Sequence, residues 1–443
     1  MTRTVPFTPL DEAVLHLEEE LEPWNVQIEV GSAASLDAER LYDAVETAAA
    51  AHPLARARLR DYGALDDEYV WEIPDDPDTV PLKRADAGDA EALADLRTRF
   101  YSPRVELRES PPFRVALARG GGIDGGDRLM VCGSHVAMDG VGTLRLARSV
   151  CQAYRGDPVD EDPVGLAESR AVLVEDGPSS LGEAGTRLAE GLGRLPDALD
   201  EPTRVAVDGG TDESGWGFVH RELDDALVSA VVGGRPDGVS VNDCFLAALH
   251  LAIDDWNADH GAESDRISLM MPVNARPPEW FYETVGMYAP FVSVDTKPRH
   301  RTSPGAAVER VVEQTSRHKR HDGAGWVTDA LGPLSANLPV GIKRLVPGLL
   351  GATGYRFVDS AVLSNLGRIP DLPALGGQDD EADCHFSPPS MMPLGVGFGV
   401  ATLDGDVRLV TRYSQQQFDR GAARRFTDRY LDRLGATVPS PGA

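Results

Sequence analysis

Apolar positions along this chain follow two interleaved periods, three to four residues in some stretches and two in others, which predicts helices and strands in alternation. Asp11–Glu20 reads as an acidic amphipathic helix, Trp24–Val30 as an alternating strand, and Asp37–Ala51 as a helix stopped by His52-Pro53. Ala55–Arg60 and Tyr69–Ile73 read as extended, and Asp89–Phe100 as a helix. Phe113–Ala118 and Arg128–Gly133 read as two strands separated by a Gly/Asp turn, followed by a helix from Val141 to about Tyr154. Residues 155–212 are rich in Asp, Glu, Gly and Pro around one amphipathic stretch, Leu181–Leu195. Beyond them come a strand from Gly217, a strong helix Val241–Trp256, the run Ile267–Pro272, a strand near Gly286–Val294 and a helix Pro304–His318. Strands at Ala361–Asn365, Val396–Leu403 and Val407–Tyr413 precede a last helix that begins after Phe418-Asp419. Strands mixed with helices, without a regular repeat, predict an α/β or α+β architecture.

Length turns this pattern into two lobes. At 443 residues, with 42% hydrophobic positions, the chain exceeds one ordinary domain and fills two cores. The expected division is an N-terminal lobe over 1–160, an acidic linker over 161–212 and a C-terminal lobe over 213–443. No run of about 18 apolar residues predicts a membrane span, and Met1 to Glu20 turns acidic where a signal peptide is apolar, so a cytoplasmic location is expected. Cys132, Cys151, Cys244 and Cys384 are scattered without metal-ligand spacing and read as buried, reduced thiols, so no bound metal is expected.

Charge narrows the partners. The net charge is −28, and Lys occurs only at Lys83, Lys297, Lys319 and Lys343. An acidic, Lys-poor surface suits a halophile's cytoplasm, where salt screens the repulsion between carboxylates, and it disfavours nucleic acid as a partner.

The segment Gly133-Ser134-His135-Val136-Ala137-Met138-Asp139-Gly140 joins an apolar strand to a helix. Such a turn presents the His135 ring to a cleft, and imidazole is the side chain able to take a proton from a hydroxyl or amine near neutral pH. Asp139 orients the ring or holds the loop, and Gly140 lets backbone approach a ligand. The alternative is a half-buried loop His bonded to backbone. A hydrolase would need a nucleophile, and no G-x-S-x-G occurs.

This segment resembles the His-His-x-x-x-Asp-Gly motif of condensation domains, wax-ester synthase/diacylglycerol acyltransferases and their relatives, in which the second His is the base. Five more segments match in order: Ala51-His52-Pro53-Leu54-Ala55-Arg56-Ala57-Arg58, Pro111-Pro112-Phe113-Arg114-Val115, Val241-Asn242-Asp243-Cys244-Phe245-Leu246-Ala247-Ala248-Leu249, Met271-Pro272-Val273-Asn274-Ala275-Arg276-Pro277 and Ser364-Asn365-Leu366-Gly367. The chain is therefore similar to the chloramphenicol-acetyltransferase-like acyltransferases, with Ser134 in place of the first His. Val285-Gly286-Met287-Tyr288 is loosely similar to a glycine-aromatic turn of the peptide-bond-forming subgroup.

The resemblance implies two lobes, each with a mixed sheet and helices, meeting at a tunnel. It implies transfer of an acyl group from a CoA or carrier-protein thioester to a hydroxyl or amine of a small-molecule or lipid acceptor. His135 is then the general base, no cofactor is bound, and acyl-CoA or acyl-phosphopantetheine is a co-substrate. The Val241 helix and Ser364-Asn365 look most like the ester-forming relatives. A free-standing condensation-type amide synthase and a catalytically silent tunnel-binding protein are the alternatives. Arg276 is expected to pair with Asp139, in contrast to a solvated strand-end Arg. Asn242 and Asp243 are expected to cap their helix. Ser134, Ser364 and Asn365 are candidate oxyanion or substrate contacts, or turn residues. A basic cluster of Lys297, Arg299, His300, Arg301, Arg317, His318, Lys319, Arg320 and His321 meets donor phosphates through Arg317, Lys319 and Arg320, or is an exposed helix end.

Overall fold

The computed structural model describes residues 3–173, 200–320, 339–344, 358–376 and 381–438, and the side chains of all these except Lys319 and Arg320. The amphipathic stretch Leu181–Leu195 and His321 lie outside the described residues.

The strands are β1 (Arg3–Pro6), β2 (Asn25–Ser32), β3 (Arg58–Leu59), β4 (Val70–Ile73), β5 (Leu82–Asp86), β6 (Phe113–Arg119) and β7 (Arg128–Ser134), then β8 (Trp216–Glu222), β9 (Ile267–Pro272), β10 (Phe291–Thr296), β11 (Ala361–Arg368), β12 (Ala382–Ser387), β13 (Val396–Leu403) and β14 (Asp406–Ser414). They form two large mixed sheets, ordered β12-β2-β7-β6-β5 and β10-β9-β11-β13-β14-β8, and a small sheet β1-β4-β3. The fold is thus the mixed α/β architecture that the alternating periods predict, with the two mixed sheets that the resemblance implies.

Helices cover one outer face of each large sheet. On the first, helices α1 (Pro9–Glu20) and α2 (Ala38–Ala51) precede α4 (Gly140–Arg155), and α2 and α4 pack together with α4 on β2, whereas α3 (Ala90–Tyr101) lies on the other face, against Ala116, Ala118, Met130 and Cys132 and beside β8. Thr8 and Asp11 form a capping box at the start of α1, and Asp37 caps α2 by accepting from Glu39 N and Arg40 N. The His52-Pro53 step ends α2, because a residue before proline is pushed out of helical geometry. On the second sheet, the helices Val241–Asp259, Pro304–Arg320 and Arg420–Ala436 enclose a core that includes Trp256, Phe398, Phe426 and Tyr430. Among the described residues no helix is long and apolar enough to cross a membrane. All four cysteines are buried and free.

Three features depart from the sequence reading. The strand expected near Gly286–Val294 begins only at Phe291: Gly286 O and Tyr288 N are taken by Asp139, and Tyr288 O accepts from Ala275 N beyond the end of β9. Ser240, and not Asn242, caps the helix Val241–Asp259; Asp243 completes the capping box and Asn242 Nδ2 turns to the Met271 sulfur at 3.3 Å. β12 lies far along the chain yet pairs antiparallel with β2 in the first sheet, Cys384 opposite Val30, and also packs on β13 and β14. It thereby brings the inner face of the second sheet against the first.

Candidate active site at the junction of the sheets

β7 ends at Ser134 and α4 starts at Gly140, so His135 to Asp139 form a tight loop at the junction of the two sheets. His135 N donates to Trp24 O at 2.8 Å, and Ala137 N and Met138 N both donate to Ser134 O. His135 Nδ1 lies 3.2 Å from Met138 O. A carbonyl only accepts, so Nδ1 carries the hydrogen and Nε2 keeps its lone pair. Burial pulls the His135 pKa below the ordinary imidazole value of 6.5, against the opposing pull of the Asp139 charge and the Met138 bond. The neutral ring, a proton acceptor, is therefore the dominant form at neutral pH.

Asp139 turns the other way. Its carboxylate caps α4 through Gly142 N at 2.8 Å, accepts Tyr288 N at 2.7 Å, and meets Arg276 Nη1 and Nη2 at 2.7 and 3.0 Å. Arg276 also donates to Thr284 O and Gly286 O and stacks over the Tyr288 ring at 4.5 Å. Both side chains are almost fully buried, so the two-pronged pair ties the His135 loop to the segment following β9. Arg148 on α4 adds a second tie, donating to Asp371 O, Tyr282 O and Glu283.

The His135 ring lines a narrow cleft of about 70 Å³. Its walls come from both sheets: Trp24 and Val141 on one side, Met270, Phe291 and Val362 on the other, with Phe386 and Pro388 at the crossing strand. Gly140 also lines it, and the glycine is required for packing, since a Cβ there would meet Phe386 at 2.9 Å and Leu366 at 3.0 Å. Ser364 and Asn365 on β11 reach the cleft; Asn365 Oδ1 accepts Gly367 N, the turn role. Asn274 lines the cleft as well. Its Oδ1 takes Arg276 N at 2.9 Å, and its Nδ2 is buried without an acceptor among the described residues. Of the proposed contacts, Ser134 is not brought to the cleft: successive residues in extended chain point to opposite sides, and its hydroxyl accepts Val136 N at 3.3 Å.

The basic cluster divides. Lys297 pairs with Asp200 at 2.9 Å, and Arg301 is buried against Thr296, Ser264 and Asp265 carbonyls, so both support local structure. Arg317 is exposed and pairs with Glu313 at 2.9 Å. The cleft walls Trp24, Phe386 and Pro388 and the amide of Asn274 carried no local chemical signal beyond the last one's place in a motif.

No protein-family model matches the sequence. The uncharacterized proteins Rv2305 and MT2362 of Mycobacterium tuberculosis are each 35% identical over 440 residues, covering 98% of this chain and 100% of theirs. The first condensation domain of the calcium-dependent antibiotic synthetase superposes with a TM-score of 0.73 at 14% identity, covering 99% of this chain and 97% of that one. The chain belongs to the family of these mycobacterial proteins and has the condensation-domain, chloramphenicol-acetyltransferase-like fold. An epimerization domain of tyrocidine synthetase B gives 0.68 at 15% identity, covering 99% and 96% of the two chains. The starter condensation domain of rhizomide synthetase, solved with C8-CoA and Leu-SNAC, gives 0.65 at 14% identity over 98% and 96%.

Proposed function

We propose that this condensation-domain-like protein moves an acyl group from a thioester, on CoA or a carrier protein, to a hydroxyl or amine. The observation that carries the reading is the His135 ring, fixed through Nδ1 and Met138 O so that a neutral Nε2 remains at the cleft. In the reaction, Nε2 takes the proton of the acceptor as its oxygen or nitrogen attacks the thioester carbonyl. The oxyanion is met by Asn274 Nδ2, Ser364 Oγ or the Asn365 amide, the polar donors that line the cleft. Collapse breaks the carbon–sulfur bond, and the imidazolium returns its proton to the leaving thiolate. The apolar walls suit an acyl chain, and a cleft of about 70 Å³ must widen to admit one. The solved rhizomide synthetase domain holds a CoA thioester and an amino-acyl thioester, which supports thioester chemistry here by analogy of fold.

Amide formation is the second reading, favoured by the condensation domains among the structural neighbours; the ester reading draws on the Val241 helix and Ser364-Asn365 segments. A silent binding protein would not need the His135 arrangement.

The lowered His135 pKa sets the pH profile. Protonation removes the base, so kcat/KM is expected to rise with pH through an apparent pKa below 6.5 and to level off by neutrality. A profile still climbing well above pH 7.5, measured with an acceptor that does not itself titrate, contradicts a neutral, buried base.

Arg317, Lys319 and Arg320 are proposed to meet the donor's phosphates. Replacing the three by Gln is expected to raise the KM for an acyl-CoA severalfold and to leave an acyl-pantetheine unaffected. Equal changes with both donors assign the cluster to the surface alone.

A further inference from the structure

A cross-strand row on the inner face of the second sheet leads away from the cleft. Met270 pairs with Val362, Val362 with Gly397, Gly397 with Arg412, and Arg412 with Phe218. Met270 and Val362 are cleft walls. Gly397 has no side chain, and a Cβ built there would meet Val362 at 3.0 Å, Ser390 at 3.4 Å and Pro388 at 3.6 Å. Two strand spacings, about 9–10 Å, therefore separate the cleft wall at Val362 from Arg412, and the Pro388–Ser390 segment packs over Gly397 between them.

Arg412 is unusual among the buried cations. It is 0% exposed, and among the described residues no carboxylate lies within ion-pair distance. By contrast, buried Arg128, Arg276 and Arg301 pair with Asp383, Asp139 and Asp254. One nitrogen of Arg412, Nη1, donates to Asn25 O at 2.6 Å, and its plane stacks over Trp216 at 4.8 Å. Nε and Nη2 have no acceptor among the described residues. Burial pulls its pKa down to about 10, which leaves it charged at neutral pH. The buried hydroxyl of Ser390, over Gly397, and the indole N–H of Trp24, next in the chain to Asn25, also have no partner among the described residues, and Asn25 Oδ1 is a buried acceptor likewise unused. Trp24 lines the cleft, and its ring centroid is 5.6 Å from that of His135. A desolvated guanidinium with two unused nitrogens is costly unless an anion joins it.

We propose an anion subsite at Arg412, past Gly397 from the cleft, with Ser390 as a second donor, which takes the carboxylate of a small apolar acid. In the reaction proposed above that acid is the acyl acceptor, a hydroxy or amino acid held with its nucleophile toward His135 and its carboxylate toward Arg412. This last assignment rests on the acyl-transfer reading; the subsite itself does not. A carboxylate fits better than a donor phosphate, because the long pantetheine arm keeps its phosphate far from the thioester, whereas Arg412 lies only two strands from the cleft wall.

Calorimetric titration of the full chain with hexanoate, hexanamide and inorganic phosphate tests the subsite without turnover. Hexanoate is expected to bind at least tenfold more tightly than hexanamide. Ser390→Ala is expected to weaken hexanoate severalfold, and Arg412→Gln to abolish the preference for the charged ligand. If Arg412→Gln does not fold, Ser390→Ala carries the test alone. Equal binding of hexanoate and hexanamide, no binding of hexanoate, or tighter binding of phosphate than of hexanoate overturns the subsite. Carboxylate binding in a protein that transfers no acyl group counts against the reaction, not the subsite.

Discussion

Replacing His135 by alanine is expected to lower kcat for acyl transfer by on the order of 10²–10⁴-fold, the usual contribution of a positioned general base. KM should change little, because the ring closes only one side of a cleft whose walls are mostly apolar. Folding should survive the change. The loop is held by the backbone bonds of Ser134 and Trp24 and by the Asp139 carboxylate, none of which passes through the imidazole. Steady-state kinetics with an unaltered thermal transition checks both halves of the expectation, and a variant within a few-fold of the parent rate removes His135 from the mechanism.

The second large effect is on stability. Asp139→Ala leaves the Arg276 guanidinium buried and without its carboxylate, and removes the cap of α4 together with the acceptor of Tyr288 N. Breaking one side of a buried pair costs about 3–5 kcal/mol. Arg276→Ala should cost a similar amount. The double variant Asp139→Leu with Arg276→Met should lose less than the sum of the two, because no charge is then stranded. Activity should fall in the single variants as well, since the loop carrying His135 is tied to the opposite sheet by this pair. Urea unfolding of the four proteins checks the cycle; single variants within about 1 kcal/mol of the parent, or simple additivity, would show that the pair does not hold the loop.

His135, Asp139 and Gly140 were legible because they are local: a strand, a tight loop and a helix start within a dozen residues fix their mutual directions. Arg276 needed the resemblance, since nothing in a strand-end Arg names a carboxylate 137 residues away. The same limit hid β12. Ala382–Ser387 reads as a short polar-apolar alternation whose partner, β2, lies at the other end of the chain, and a register against a distant strand leaves no trace in local periodicity. β5, with the sequence Leu82-Lys83-Arg84-Ala85-Asp86, is a largely exposed edge and lacked an apolar face to reveal it. Ser134 was misplaced for a different reason: a motif gives spacing, while alternation along extended chain decides which of two neighbours enters the cleft. Arg412 was invisible for the opposite reason, as an Arg inside an apolar strand reads as an edge residue until the sheet order buries it.

The central claim, acyl transfer at the His135 cleft, is tested most directly by thiol release from octanoyl-CoA and octanoyl-pantetheine, followed with and without hydroxy- and amino-acid acceptors. The account predicts release that depends on the acceptor, yields the acylated acceptor by mass, and is lost in His135→Ala. Release at the same rate without acceptor, or unchanged by the His135 substitution, contradicts it.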